Sequence, residues 1–252
     1  MSSIASVLDR YGALSLEEIR QVTFLKRCDY KYLLSKQLLQ DILQELADSY
    51  YVVRIDDRAE QHYLTTYFDT PDDLFYLQHH NSRNNRYKVR KRSYEVTHDC
   101  YLEVKHKCLS GMTNKQRISA AGTELSRIAP QEKIFLSEVI PIPHDELSPK
   151  IDTHFDRITI VDKAFTERIT IDLNLRIVNH QTETSFATNN FVIIEVKCDK
   201  YNKQSLMRNA LKCRGIRSRG FSKYCVGRAL TEPTLKRNRF KQHIKTLVLW
   251  NS

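Results

Sequence analysis

Two stretches of the sequence carry a charged side chain at every second position. The residues are Lys88, Arg90 and Arg92 in the first stretch and Glu103, Lys105 and Lys107 in the second. Because side chains two residues apart in a β-strand point to the same face, each series occupies one face of its strand. Arginine binds phosphate oxygens with a planar fork of N–H groups, and lysine binds them as a point charge. The spacing therefore predicts two strands whose charged faces bind a polyanion.

Isolated carboxylates accompany the cations at the same spacing. One later stretch reads Arg168-x-Thr170-x-Asp172, and another reads Glu195-x-Lys197. Carboxylate oxygens are ligands that Mg²⁺ and Mn²⁺ prefer, and these ions also bind phosphate oxygens. Phosphoryl transfer needs little beyond positioning and charge neutralisation. The combination is therefore compatible with a phosphotransferase.

Two arrangements of the strands account for these charged faces. In the first, each charged face is the solvent side of an antiparallel sheet, which is the common pattern. In the second, the strands form a closed barrel with a polar interior. The opposite faces are mostly apolar, as outer helices require, and carry Tyr87, Val89 and Lys91 on one strand and Leu102 and Val104 on the other. The charged faces are overwhelmingly basic, whereas a face selected for solubility mixes signs more evenly, so the barrel is favoured.

A cavity lined by cations also predicts a ligand. Like charges at low dielectric repel one another, and each loses its hydration on burial. A bound polyanion removes that cost. With only 6 Gly residues, the chain lacks both the Walker loop and the dinucleotide fingerprint. Any phosphate must therefore be bound by side chains.

The composition indicates a globular protein with an anionic partner. The chain has 252 residues, of which 41% are hydrophobic, and its net charge is +10. This length is sufficient for a packed core, and the charge favours negatively charged partners. The longest apolar runs are far shorter than the roughly 20 residues that span a bilayer. With no secretory pattern and no Cys-x-x-Cys pair among the 6 cysteines, we expect a cytoplasmic, reduced protein.

Most of the elements that position these residues are predicted to be strands. Period-2 patterns rich in β-branched and aromatic residues predict strands over 27–34, 50–55, 63–68, 87–94, 101–107, 154–161, 167–177 and 190–197. Caps and helical periodicity predict helices over 14–22, 36–46 and 204–214, and a short helix through His79. Residues 120–150 are less regular and are predicted to contain helical insertions. The predicted fold class is α+β.

Six motifs, in order along the chain, resemble one family. They are Lys31-Tyr32-Leu33-Leu34, Tyr67-Phe68-Asp69-Thr70-Pro71, Tyr87-Lys88-Val89-Arg90-Lys91-Arg92-Ser93-Tyr94, Leu102-Glu103-Val104-Lys105, Ile194-Glu195-Val196-Lys197 and Phe221-Ser222-Lys223-Tyr224. Together they resemble the VTC domain, the polyphosphate polymerase domain of the vacuolar transporter chaperone complex and its bacterial relatives. That domain lies within the triphosphate tunnel metalloenzyme (CYTH-like) superfamily.

The resemblance implies a fold and an activity. The fold is an antiparallel eight-stranded β-tunnel with helices packed outside, which binds triphosphate or polyphosphate with Mn²⁺ or Mg²⁺. In the polymerases, the terminal phosphate of ATP is moved onto a growing chain. We therefore expect one domain over residues 1–252, with a core from about 20 to 230 and a basic C-terminal tail over 231–252.

The resemblance also implies roles for individual residues. Those expected to contact phosphate are Lys31, Lys88, Arg90, Arg92, Lys105, Arg157, Arg168, Lys197, Ser222 and Lys223, with Lys115 and Arg117 as alternatives to each other. Within this set, Arg90, Arg92 and Lys223 are expected to be catalytic. Glu195 is expected to hold the metal, and Glu103, which faces the same lumen, is the second candidate metal ligand.

The sequence departs from the tunnel hydrolases at its first strand. Many of those enzymes open with Glu-x-Glu-x-Lys, whereas the same spacing here reads Arg27-x-Asp29-x-Lys31. One carboxylate therefore stands where those hydrolases have two. This departure weakens a two-metal hydrolase assignment and favours the polymerase branch.

Three classes of function remain open. The first is a polyphosphate polymerase that uses ATP or another triphosphate. The second is a polyphosphate- or triphosphate-binding module without turnover. The third is a nucleic-acid-binding protein or a tunnel-fold triphosphatase. Few aromatic residues stand among the basic loops, so we expect no sequence-specific recognition of nucleic acid.

The basic run from Lys236 to Lys245 has two interpretations. A solvated helix face is the usual outcome for such a run. Contact with anionic lipid or with a membrane-protein partner is the alternative, because juxtamembrane basic clusters bind in this way. Peripheral attachment to a membrane through a partner therefore stands beside the cytoplasmic assignment.

Overall fold

The computed structural model describes residues 3–20, 27–120, 124–141, 146–199 and 204–251. The strands are β1 (Gly12–Leu14), β2 (Arg27–Ser35), β3 (Tyr50–Val53), β4 (Glu60–Asp69), β5 (Arg86–Tyr94), β6 (Cys100–Lys107), β7 (Thr113–Ser119), β8 (Ser148–Asp162), β9 (Glu167–Asn179), β10 (Ser185–Thr188) and β11 (Phe191–Asp199). The helices are α1 (Ile4–Leu8), α2 (Leu16–Arg20), α3 (Lys36–Leu46), α4 (Leu74–His80), α5 (Pro130–Val139), α6 (Leu206–Cys213), α7 (Lys223–Thr231) and α8 (Lys241–Asn251). Single 3₁₀ turns cover Ala47–Ser49 and Asn238–Phe240.

Eight strands form one antiparallel path in the order β2-β11-β9-β8-β4-β5-β6-β7. The short strands β1, β3 and β10 extend the sheet beside this path. The α+β class and the eight antiparallel strands of the tunnel fold are thus confirmed. No hydrogen-bonded ladder joins β7 to β2 within the described ranges, so the sheet is not closed into the barrel that the charge pattern suggested. Residues of both strands nevertheless line one cavity.

The register places the alternating charges on one face of the sheet. Side chains of directly paired residues in an antiparallel ladder share a face. The pairs include Lys31 with Glu195, Lys88 with Lys105, Lys105 with Lys115, Arg90 with Glu103, Arg157 with Asp172 and Arg168 with Lys197. We call the side that carries these residues the cationic face. The series were predicted to share a face, and the register agrees.

The opposite side of the sheet, the outer face, is covered by helices. The apolar sides of α3 and α6 pack on β2, β8, β9 and β11, and α4 and α5 pack on β5 and β6. Ser35 begins α3 by accepting a hydrogen bond from the Leu38 amide. Lys91 is a charged residue on the outer face of β5, beside the apolar Tyr87 and Val89. Its buried ammonium lies 2.9 Å from Glu132 of α5, which allows burial at this position.

Helix α7 lies against the cationic-face side at one end of the sheet. There the sheet residues become apolar and form a cluster with Tyr224 and Val226 of the helix. The approach is close at Gly227, where an added Cβ would lie 2.8 Å from the Ile151 side chain. Residues 236–251, predicted as a tail outside the core, also pack here: the Trp250 ring lies 5.7 Å from that of Phe191. The C-terminal segment is therefore part of the folded unit.

Other boundaries differ modestly from the sequence predictions. The helix predicted over 14–22 covers Leu16–Arg20, and residues 21–26 lie outside the described residues. The irregular region contains α5, as predicted, and is preceded by β7, which was not predicted. All six cysteines are free thiols. In the described part of the chain, every helix is too short or too polar to cross a lipid bilayer.

Candidate functional site

A cavity of about 900 Å³ opens beside the cationic face. Its cationic side chains are Lys31, Arg86, Lys88, Lys105, Lys107, Lys115, Arg219 and Arg239. Among the described residues, two carboxylates, Asp29 and Glu195, line it with them. Strands β2, β5, β6, β7 and β11 supply most of these residues, and the segment after α6 and the C-terminal segment supply Arg219 and Arg239. Such an excess of positive charge suits an anionic ligand.

Asp172 is the centre of an ion-pair group on the cationic face. The Arg157 guanidinium donates to it at 2.6 and 2.9 Å, and the Lys223 ammonium also binds it. Burial alone would raise the pKa of Asp172, but the two cations hold it well below its usual range. Burial lowers the pKa of Lys223 to about 8 despite the attraction of Asp172. Lys223 also lies 3.9 Å from the centre of the Phe155 ring.

Glu103 is the centre of a second ion-pair group. Its side chain is fully buried, and it binds the Arg90 guanidinium at 2.6 Å and the Lys115 ammonium. Burial opposes ionisation, but Arg90, Arg92 and Lys115 together lower the pKa of Glu103 to about 2. The Tyr67 hydroxyl lies 3.5 Å from Arg90. We call Arg90, Arg157, Lys223 and their two carboxylates, Glu103 and Asp172, the interior group.

Arg92 lies between these ion pairs without a carboxylate of its own in the described residues. Its guanidinium donates to the Thr65 hydroxyl at 3.0 Å and lies over the rings of Tyr63 and Phe155. Burial and the neighbouring guanidinium groups of Arg90 and Arg157 lower its pKa. Arg92 is therefore fixed by hydrogen bonding and by ring contacts.

Tyr67 is a member of the site that the sequence analysis quoted only as part of a motif. Its ring stacks on Tyr224 at 5.3 Å, and its hydroxyl faces Arg90. Burial raises the pKa of Tyr67, but Arg90, Arg92 and Lys223 outweigh burial and lower it to about 8. The positive potential around this hydroxyl is therefore strong.

Glu195 connects the ion pairs to the cavity. Lys197 binds one of its oxygens at 2.8 Å, and Lys31 lies 3.7 Å from the other. Although burial opposes ionisation, Lys197 and Lys31 lower the pKa of Glu195 well below its usual range. The described residues contain no group of three or more His, Cys, Asp or Glu side chains with metal-binding geometry.

The cations of the cavity have fewer partners than those of the interior group. Lys88 donates to the Ser222 hydroxyl at 3.1 Å, and Lys31 donates to the Phe221 carbonyl at 3.0 Å. Lys105 forms no ion pair with any described residue. Burial, reinforced by Arg90, Lys31 and Lys115, lowers its pKa to about 7. We call Lys31, Lys88, Lys105, Lys107 and Lys115 the cavity lysines.

The predicted site residues fall into three sets. Those that line the cavity are Lys31, Lys88, Lys105, Lys115, Glu195 and Ser222. Those on the cationic face beyond the cavity lining are Arg90, Arg92, Glu103, Arg157, Arg168, Lys197 and Lys223. Arg117 is exposed and stacks on Tyr101 at 4.4 Å. Of the two alternatives on β7, the cavity therefore contains Lys115.

Ser222 has a structural role that the motif did not indicate. It begins α7, and its hydroxyl accepts a hydrogen bond from the Cys225 amide at 3.3 Å. The same hydroxyl accepts from Lys88. The helix start and the cavity wall therefore share one side chain.

The cavity also contains residues that were not among the predicted phosphate contacts. Lys107 belongs to the charged series named above for β6, and Arg86 continues the series of β5, a signal that was available in the sequence. Arg219, Arg239 and two histidines, His79 and His243, also line the cavity. These four follow no spacing that relates them to the strands.

Comparison with solved structures shows the same fold at low sequence identity. A proposed adenylate cyclase from Bacillus halodurans has a TM-score of 0.54 and 15% identity, over 78% of this chain and 94% of that one. A proposed adenylyl cyclase from Hippeastrum, which has a dominant triphosphatase activity, has a TM-score of 0.46 and 14% identity, over 81% and 96% of the two chains. No curated protein matches the chain.

The family comparison agrees with the resemblance and with the tunnel fold. The VTC domain model matches residues 26–232, a range that contains all of the strands on the eight-stranded path. It also contains the interior group and the cavity lysines. The chain therefore belongs to the VTC domain family.

Proposed function

We propose that this domain is a metal-dependent polyphosphate polymerase that transfers the terminal phosphate of ATP onto a polyphosphate chain. The observation that carries the proposal is the cavity, in which eight cations face two carboxylates beside the interior group. A polyanion neutralises such a surface, and positioning with charge neutralisation is most of what phosphoryl transfer needs. Membership of the VTC family supports the same reaction.

The residues of the site have separate roles in this reaction. The cavity lysines bind the phosphates of ATP and of the acceptor chain. Arg90, Arg92 and Lys223 bind the phosphoryl group in transfer, and Arg157, Arg168 and Lys197 extend the same cationic surface. Because Glu103 and Asp172 already hold Arg90 and Lys223 in place, little reorganisation is needed when charge develops.

The transfer step balances without a protein base. A terminal oxygen of the polyphosphate chain, already anionic, attacks the γ-phosphorus of ATP. A new P–O bond to the chain forms as the bond from the γ-phosphorus to the β–γ bridging oxygen breaks, and ADP leaves with that electron pair. The cations of the site stabilise the negative charge on both sides.

The carboxylates of the cavity fit a metal that arrives with its phosphates. Mg²⁺ is commonly held by one or two carboxylates together with phosphate oxygens and waters. Glu195 and Asp29, on neighbouring strands of the cavity, could hold such an ion, which would neutralise phosphate charge. The role of Glu103 as a metal ligand remains a prediction. Its side chain is fully buried and binds Arg90 and Lys115.

A non-catalytic binding module is the second candidate. It is favoured by one observation: each of Glu103, Asp172 and Glu195 is already neutralised by two cations. A tunnel triphosphatase, with water as the acceptor, is the third. A membrane-protein partner and the lack of sequence-specific nucleic-acid binding remain predictions.

One assay separates these candidates. The purified protein is incubated with γ-labelled ATP, Mn²⁺ and a short polyphosphate primer, and the products are resolved by chain length. We expect long acid-labile chains. Release of inorganic phosphate alone would identify a triphosphatase, and tight binding of polyphosphate without turnover would identify a binding module.

Glu195→Gln tests the metal assignment in the same assay. Removal of the charge should strongly reduce metal-dependent turnover and leave polyphosphate binding intact or tighter, since one negative charge near the polyanion is lost. Glu138→Gln, an exposed position on α5, is the control. Full turnover by Glu195→Gln would contradict the role of Glu195.

A further inference from the structure

One wall of the cavity comes mainly from residues outside the six motifs. His79 lies near the end of α4, and Arg239, Phe240 and His243 belong to the C-terminal segment. These last three residues lie beyond the part of the chain that the family model matches, which ends at residue 232. The His79 and Phe240 rings stack at 6.3 Å, and His243 lies 5.7 Å from the Phe221 ring. We call His79, Phe221, Phe240 and His243 the ring wall.

The environment of His243 fixes its tautomer. Its Nε2 lies 2.6 Å from the Gly220 carbonyl oxygen, and since a carbonyl only accepts, Nε2 must donate. Burial lowers the pKa of His243, the hydrogen bond to Gly220 opposes this shift, and Arg219 adds to it. In the neutral ring the proton is on Nε2, which donates to Gly220, and Nδ1 is an acceptor. Nδ1 is buried and has no hydrogen-bond partner within the described ranges.

His79 is uncharged because burial and neighbouring cations disfavour its protonated form. Burial, together with Lys88, Arg86 and Arg239, lowers its pKa to about 2. Its Nδ1 is also buried, and no described residue forms a hydrogen bond with it. Two imidazole rings, each with a buried Nδ1 that no described residue satisfies, therefore line a cavity that otherwise presents mainly cationic donors.

The chemistry of this wall does not suit phosphate. Phosphate oxygens accept hydrogen bonds, so they leave an acceptor such as His243 Nδ1 unsatisfied, and an unsatisfied buried polar atom is costly. The amino group of a base or the hydroxyl of a sugar is a donor and can satisfy such a nitrogen when a small rotation of the buried ring exposes it to the cavity. Aromatic rings and guanidinium planes are also the surfaces on which bases stack. A cavity of about 900 Å³ is near the upper end of the range that encloses drug-sized ligands, and so has room for more than phosphates.

We infer that the ring wall is a nucleoside subsite, which binds the base and sugar of a nucleoside triphosphate whose phosphates lie on the cavity lysines. The inference rests on the proposed function only in placing the triphosphate there. It makes His79 and His243 determinants of specificity for a nucleotide over inorganic triphosphate. Arg239, exposed beside them, offers a guanidinium plane to the base.

The test compares two ligands by calorimetry without metal: ATP and inorganic tripolyphosphate. For His79→Ala and His243→Ala, we expect the Kd for ATP to rise roughly fivefold or more, the lower bound for loss of one stacking contact. The Kd for tripolyphosphate should change less than twofold, which also shows that the variant is folded. His243→Asn, which restores an acceptor near the position of Nδ1, should recover part of the ATP affinity. His180→Ala, at a histidine outside the cavity lining, is the control.

Two results would overturn the inference. One is an equal loss of affinity for ATP and for tripolyphosphate in the two alanine variants, which would show that the ring wall contacts phosphate. The other is wild-type protein that binds ATP no more tightly than tripolyphosphate. Because these are binding measurements, protein that prefers ATP but makes no polyphosphate would contradict the polymerase proposal alone. Polymerase activity without any preference for ATP would contradict the subsite alone.

Discussion

The cations of the interior group and those of the cavity differ in how their charge is compensated. Arg90, Arg157 and Lys223 each bind a buried carboxylate of the same sheet. Among the cavity lysines, Lys105 has no such partner in the described residues, and its pKa is lowered to about 7. The interior charges stabilise one another when no ligand is bound. Lys105 is repelled by the neighbouring cations until an anion binds, whereas Lys31 and Lys115 also bind carboxylates. We therefore expect the interior group to act as a rigid support and the cavity lysines to form the binding surface.

Removal of an interior carboxylate should have the largest effect on stability. Asp172→Asn leaves Arg157 and Lys223 buried without a countercharge, and loss of one partner of a buried ion pair costs about 3–5 kcal/mol. Urea denaturation measures this loss. Asp99→Asn, at an exposed position, should change stability by less than about 0.5 kcal/mol. Equal effects of the two substitutions would contradict the division into two regions.

Removal of a cavity lysine should act on binding instead. Lys105→Met removes a cation that repels Arg90, Lys31 and Lys115, so the free energy of unfolding should rise. The Kd for tripolyphosphate should rise roughly tenfold to a hundredfold, as for loss of a charged hydrogen bond. Lys133→Met, on the exposed side of α5, is the matched control. If Lys105→Met were less stable than the wild type and bound tripolyphosphate equally well, the distinction between the interior group and the cavity lysines would be wrong.

The low pKa of Lys105 predicts proton uptake on binding. With a folded pKa of about 7 against an unfolded value near 10.5, the unfolded state binds more protons between these values, and this group makes stability rise with pH across that window. A bound anion favours the charged form, so at pH 7 we expect an uptake of roughly half a proton by this lysine. Calorimetry in buffers of different ionisation enthalpy gives the number of protons taken up on binding. The uptake should be absent in Lys105→Met, and identical values for the two proteins would contradict the assignment.

The smallest expected effect comes from the two cations of β7. Lys115 lines the cavity, whereas Arg117 is exposed and stacks on Tyr101. Lys115→Ala should weaken tripolyphosphate binding severalfold, and because Lys115 also binds the buried Glu103, this substitution should lower stability as well. Arg117→Ala should change the Kd less than twofold and cost about 0.5–1 kcal/mol of stability. Fluorescence titration with tripolyphosphate is sufficient. If Arg117→Ala weakened tripolyphosphate binding more than Lys115→Ala, Arg117 would be a phosphate contact.

Most strands, and the cationic face, were predicted from side chains that alternate in type at every second position. Arg90 and Glu103 could be assigned to one face because β5 and β6 alternate clearly. Strand β7 escaped prediction because, as an edge strand, it is polar on both faces and offers no alternation. The sequence also could not pair Asp172 with Lys223, 51 residues apart, because spacing defines the face of a strand and not the place where helix α7 packs on it.

The C-terminal residues escaped prediction for a different reason. The run from Lys236 to Lys245 is rich in cations and was interpreted by its charge alone. Phe240 and His243 within it, which line the cavity, were therefore not selected. Ser222 was assigned to phosphate because of the motif that contains it. Its additional role as the cap of α7 depends on backbone conformation, which the motif does not specify.

The unpaired side of β7 has a consequence for the behaviour of the protein in solution. An edge strand offers free backbone N–H and C=O groups to the edge of another molecule, and charged side chains on such strands oppose that pairing. Lys115 and Arg117 occupy this edge, which has no partner strand among the described residues, and their charges oppose pairing with a second copy of the chain. Polyphosphate bound along β7 would cancel this repulsion, and the longer the chain, the more copies of the protein it could collect. Under the proposed function, product length and self-association of the protein would then be coupled through a single strand.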